Sequence, residues 1–117
     1  METERRKFPR IECRTGVQYR HIHQPSAVFA TSLTKDVSAG GVLCLVDQFH
    51  PRESRLLMQI TVPGVPAPIR TIAQVVWIRK QPYGDRYDAG LQFVEMVPED
   101  RAQIKAYVDR SRTNPSS

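Results

Sequence analysis

Apolar and polar residues alternate along most of the chain. Between about 12 and 23, Val17, Tyr19 and His21 fall on one face and Gln18, Arg20 and Ile22 on the other, a two-residue period that predicts a strand ending at Gln24-Pro25-Ser26. A second strand is predicted over Val28 to Lys35, with Phe29, Thr31 and Leu33 sharing a face. Val42 to Val46 is a short unbroken apolar run, the pattern of a buried strand. Arg55 to Val62 alternates with Leu56, Met58, Ile60 and Val62 inward. The segment Pro63-Gly64-Val65-Pro66-Ala67-Pro68 then acts as a rigid connection, because proline cannot donate to a ladder. Ile69 to Arg79 is the longest predicted strand and carries the only tryptophan, Trp77. Past the Pro-Tyr-Gly-Asp turn, Tyr87 to Val94 places Ala89, Leu91 and Phe93 on one face.

The period changes at Pro98. Proline followed by Glu99 and Asp100 suits the first turn of a helix, with acids near the positive end of its dipole. Ile104, Tyr107 and Val108 follow at helical spacing, Arg110 and Arg112 sit near the negative end, and Asn114-Pro115 stops it. About six short strands without crossover helices, then one helix, predict an all-β class: a small antiparallel β-barrel with a terminal α-helix. At 117 residues and 40% hydrophobic content, the chain supports one domain and one core. No apolar run approaches the ~20 residues of a membrane span, and the charged Met1 to Lys7 segment does not read as a secretory signal, so a cytoplasmic location is expected.

The net charge of +5 favours an anionic partner, and much of the excess lies between Arg5 and Arg20 and at Arg110 and Arg112. Cys13 and Cys44 match no metal spacing and read as reduced thiols. His21-x-His23 would share a strand face, but no third ligand is visible nearby, and His50 reads as loop. Trp77 reads as a core residue, with stacking on a ligand as the alternative. No nucleophile elbow, phosphate-binding Gly-Lys-Ser/Thr or zinc-protease motif is present, and Asp36 and Ser38 have no histidine partner at a telling spacing, so the reading is not that of an enzyme and no cofactor or metal is expected.

Two motifs carry the functional signal. Thr34-Lys35-Asp36-Val37-Ser38-Ala39-Gly40-Gly41 combines a carboxylate, a hydroxyl and two glycines between two strands, where by itself it describes a hairpin turn. Near the N-terminus stands Glu4-Arg5-Arg6-Lys7-Phe8-Pro9-Arg10. The ordered pair, Arg6-x-x-x-Arg10 and then Asp36-x-Ser38-x-x-Gly41, resembles the PilZ domain family over nearly the whole chain, and Gly90-Leu91-Gln92-Phe93 is similar to a late family signature. The resemblance implies a six-stranded antiparallel barrel capped by the C-terminal helix. It also implies binding of the bacterial second messenger cyclic di-GMP, with Arg6 and Arg10 gripping phosphate and one guanine while Asp36 and Ser38 read the other. Arg5, directly before the motif, is associated in the family with two intercalated ligands. A downstream protein target in motility, biofilm or polysaccharide machinery is implied as well, though not which one.

The chemistry suits that ligand. A guanidinium is a permanently charged planar fork that matches phosphate oxygens in pairs, matches the O6 and N7 acceptors of guanine, and stacks on a base. An ionised carboxylate accepts both N1–H and the 2-amino group on guanine's other edge. Gly41 would leave room for the ligand against the backbone. Proline at 9 keeps Phe8 out of the helical region, so Arg6 and Arg10 would lie on an extended segment with a reach of up to ~13 Å. The expected organisation is a flexible basic arm over residues 1–10, the barrel and helix over 11–112, and a frayed tail over 113–117. Ordering of the arm would transmit the signal. The rival readings are a PilZ-like protein adaptor without ligand and a basic barrel for single-stranded nucleic acid. The aromatic content of 8% weighs against the second.

Overall fold

The computed structural model describes residues 8–24 and 28–113. Seven strands and one helix follow one another: β1 (Arg10–Glu12), β2 (Gly16–His21), β3 (Ala30–Ser38), β4 (Gly41–Val46), β5 (Arg55–Ile60), β6 (Ile69–Lys80), β7 (Tyr87–Glu95) and α1 (Pro98–Thr113). All pairings are antiparallel. The order β3-β2-β5-β6-β7-β4 returns to β3 through the β3–β4 pairing, so six strands close a barrel. The seventh strand, β1, adds to the same edge of β3 that β2 occupies further up, with Arg10 opposite Ser38 and Glu12 opposite Asp36.

β2 thus realises most of the strand predicted from about residue 12, while β1 meets it only at Glu12 and takes Arg10 from the stretch expected to be a flexible arm. The break at Cys13 to Thr15 is held by Thr34, whose hydroxyl donates to the Cys13 carbonyl and accepts from the Thr15 amide at 3.0 Å. That duty also sets the facing of β3. Ser32 and Thr34 point inward, whereas Leu33, on the face predicted from its apolar residues, is 46% exposed. A polar residue wins the inner position because its hydroxyl satisfies backbone groups that the break would orphan.

Along most of the other strands the alternation holds. Leu56, Met58 and Ile60 of β5, Val17 and Tyr19 of β2, Ile69, Ala73 and Val75 of β6, and Ala89, Leu91 and Phe93 of β7 fill the barrel. Ile104 and Val108, four apart on α1, are fully buried with this core, so one helix face closes the barrel end. Glu99 and Asp100 lie in the first turn and Arg110 and Arg112 in the last. Gly64 and Gly84 take positive φ (86° and 80°), as their two turns require. No helix among the described residues is long and apolar enough to cross a membrane. Cys13 and Cys44 are both free thiols, and burial pushes the Cys44 thiol up to about 12.

The fold brings His50 to His21. Their rings stack at 6.3 Å, with His23 5.5 Å from His21 and the Tyr19 ring edge-on to His50 at 6.2 Å. Among the described residues no group of three His, Cys, Asp or Glu side chains is placed to hold a metal ion. Burial first, and the charge of His21 second, hold the His50 imidazole below its ordinary pKa. The neutral form therefore stabilises the fold above the ordinary histidine value of about 6.5, and this is lost as pH falls through the lower folded value. The urea midpoint should fall between pH 7 and pH 5, and His50→Asn should flatten that fall; identical slopes in the two proteins would contradict the assignment.

Candidate functional site

The site is assembled on strands by two irregularities. On β3, Thr34 faces inward, and strict alternation would send Asp36 inward too. A register shift against β4 between Thr34 and Asp36 reverses the facing, so Val37 enters the core and Asp36 turns outward. On β6, Ile69, Thr71, Ala73 and Val75 face inward, and alternation would bury Trp77. A second shift, against β7 between Val75 and Trp77, makes Val76 the extra residue and leaves Val76 and Trp77 both on the outer surface. The sequence expectation of a core tryptophan is therefore corrected: Trp77 is 39% exposed.

Asp36 and Trp77 line the same cleft, of about 280 Å³, together with Arg10, Ser38, Gly41, Val76 and Gly90. Gly90 pairs with Trp77 across the ladder and carries the indole on its bare Cα, where any Cβ would meet Trp77 Nε1 well inside contact distance. The Arg79 guanidinium lies 5.7 Å from the indole ring. Arg10, opening β1, reaches Asp36 with Nη1 3.5 Å from Oδ2; their side chains are 45% and 16% exposed. Among the described residues, Asp36 is thus a largely sheltered carboxylate paired with the Arg10 cation, between an apolar wall (Val76, Trp77) and a polar turn.

Ser38 and Gly41 have local duties. The Ser38 hydroxyl accepts from the Gly40 and Gly41 amides at 3.1 Å each, which fixes the β3–β4 turn. A Cβ at Gly41 would collide with the Leu91 carbonyl of β7, so that glycine permits two backbones to approach rather than making room for a ligand, as the sequence suggests. Both residues still border the cleft. The neighbouring Lys35, the extra residue of the β3 shift, pairs with Asp88 at 2.8 Å. Arg5 and Arg6 lie outside the described residues. Sequence reasoning missed Val76, Gly90 and the outward facing of Trp77. The available signals were the doublet Val75-Val76, which breaks alternation, and a glycine in an otherwise bulky strand.

The chain belongs to the PilZ domain family, whose model matches residues 4–110. No curated protein matches it significantly. Among solved structures, the Bacillus subtilis inhibitor of motility (MotI/DgrA) superposes with a TM-score of 0.83 at 21% identity, over 98% of this chain and 55% of that one. The PilZ domain of YcgR from Escherichia coli, solved with c-di-GMP, gives 0.67 at 17% identity over 97% and 98%. The c-di-GMP complex of MrkH from K. pneumonia gives 0.71 at 14% identity over 97% and 54%. The chain therefore spans about half the length of MotI and of MrkH. Likeness at such identities speaks to the fold, and it is the fold that the six-stranded barrel and its terminal helix predicted.

Because Gly41 is required by packing, Gly41→Ala should act on stability. Forcing a methyl against the β7 backbone costs about 1–3 kcal/mol, a fall in Tm of roughly 5–15 °C for a domain this size. A thermal melt unchanged from the parent would show that the β4–β7 approach is looser than described.

Proposed function

We propose that this chain is a receptor for cyclic di-GMP, bound at the Arg10–Asp36–Trp77 cleft, and that it passes the signal to a protein target. The observation that carries the proposal is convergence. A guanidinium, a sheltered carboxylate and an outward-turned indole from β1, β3 and β6 line one cleft. Those three groups match the three faces of a guanine nucleotide: phosphate or the O6/N7 edge, the N1/N2 edge, and the ring plane.

In the free protein Arg10 and Asp36 face one another. The ligand replaces that contact with two better ones. Arg10 turns to phosphate oxygens or to guanine O6 and N7 as a bidentate donor. Asp36 accepts N1–H and the 2-amino group of a base, whose plane rests on Trp77. Ser38 keeps the turn in register and re-aims its O–H, which points at the Gly41 carbonyl at 3.3 Å in the free protein, to a ligand acceptor, and Gly41 borders the base. Arg6 and Arg5 complete the phosphate grip, Arg5 by admitting a second ligand. The N-terminal segment thereby becomes ordered across the barrel face, and a protein target reads the new surface. Paying that ordering cost at binding sets the affinity nearer micromolar than picomolar, about −8 kcal/mol. Nothing in this scheme calls for a reaction step, and the chain acts as a binding module.

Titration calorimetry with cyclic di-GMP tests the reading. Arg10→Ala and Asp36→Ala should each weaken binding at least tenfold, since each removes charge-assisted hydrogen bonds worth about 1.5–3 kcal/mol. Wild-type affinity in both variants, or no binding by the wild-type chain, would remove the proposal. The sole tryptophan gives a second readout: its fluorescence should change on saturation with cyclic di-GMP and stay unchanged with GMP at the same concentration. A response to a linear oligonucleotide of equal affinity would instead favour single-stranded nucleic acid as the ligand.

A further inference from the structure

The turn Ser38–Gly41 has a second set of contacts, made by residues that do not line the cleft. Arg101, in the first turn of α1, donates from Nη1 to the Ala39 carbonyl at 2.7 Å. Its guanidinium also lies 5.6 Å from the centre of the Phe8 ring. The edge of that ring rests on Gly40, where an added Cβ would come within 2.8 Å of Phe8 Cδ2. The Gly40 carbonyl in turn accepts from the Phe93 amide of β7 at 2.9 Å. Helix, turn and N-terminal segment therefore meet in one stack: guanidinium over ring, ring over bare backbone.

Stability of α1 alone does not account for Arg101. A cation in the first turn faces the positive end of the helix dipole, where Glu99 and Asp100 are the favoured residues. The helix is already anchored by Ile104 and Val108, both fully buried. A residue that breaks a local rule indicates a gain made elsewhere, and here that gain is the hold on Ala39 and Phe8. Phe8 in turn precedes Pro9 and stands two residues before Arg10, so where its ring is seated fixes the direction in which the chain enters β1.

We propose that Arg101 and Phe8 are positioning residues for the cyclic dinucleotide site. Their stack seats the chain at Phe8 on the β3–β4 turn, so that Arg10 is presented to the cleft before ligand arrives. The stack also joins α1 to the site, so ligand occupancy and the hold of α1 on the turn are linked, each favouring the other. The proposal rests on the cyclic di-GMP reading above.

Calorimetric titration with cyclic di-GMP, with a thermal melt of every variant, separates the two. Phe8→Ala and Arg101→Ala should each weaken binding about three- to tenfold, the range of a lost cation–π contact, while melting within a few degrees of the parent. Phe8→Tyr, which keeps the ring, should bind within about twofold of wild type. Gly40→Ala, which leaves both side chains intact and lifts the ring from its seat, should reproduce the loss. The double variant should bind no more weakly than the worse single variant, because the two residues act as one unit. Wild-type affinity in Phe8→Ala and Arg101→Ala overturns the seat while leaving the binding site standing. So does a loss that simply tracks a falling melting temperature and is not relieved by Phe8→Tyr. Absence of binding by the wild-type chain overturns the receptor reading, and this proposal with it.

Discussion

The barrel closes only because β4 can lie against β7 with Gly41 facing the Leu91 carbonyl. A side chain at that point would hold the two backbones apart at the start of the ladder, and the register from Gly41–Gln92 to Val46–Tyr87 begins there. That ladder is one side of the cleft, and the turn leading into it is the other. One packing constraint thus fixes two things together: the closed sheet that stabilises the domain and the placement of Ser38 and Asp36 relative to Trp77. The motif Asp36-x-Ser38-x-x-Gly41 is accordingly structural at two of its three named positions. Ser38 caps the turn and Gly41 admits β7, while Asp36 is the carboxylate they present.

Two bulges aim the chemistry. Without the shift at Thr34/Asp36, the carboxylate would point into an apolar barrel, where an unpaired charge is prohibitively costly. Without the shift at Val75/Trp77, strict alternation would send the indole into the barrel core. Each irregularity interrupts ladder hydrogen bonding, and each places a side chain in the same cleft. Such bulges re-aim side chains, and here both re-aim them toward the same cavity. A site mounted on strands also holds its groups more firmly than one mounted on loops. Only Arg10 comes from the short added strand, and it is the half-exposed, movable partner.

Charges beside the cleft are paired on the sheet surface: Asp88 takes Lys35 at 2.8 Å and lies 3.9 Å from Arg79. Among the described residues Arg10 is the cation paired with Asp36, across a distance longer than an optimal charge-assisted hydrogen bond. The pair therefore shields each charge without holding it tightly.

Much of this molecule was legible in its sequence. The two-residue period gave away the six barrel strands, and the change of period at Pro98 marked the helix, because burial on one face imposes those spacings locally. The Arg-x-x-x-Arg and Asp-x-Ser-x-x-Gly motifs marked the family, and the structure brings Arg10, Asp36, Ser38 and Gly41 together around one cleft. What local pattern cannot encode is the exception to the pattern. The outward turn of Trp77, the inward hydroxyl of Thr34, the approach of His50 to His21 and the seating of Phe8 beneath Arg101 all depend on a partner distant in sequence. A bulge is a mismatch between two strands, and a strand read alone has no register to mismatch. The residues themselves therefore determined the barrel and its family, whereas the facing of the binding groups was decided only when β3 met β4 and β6 met β7.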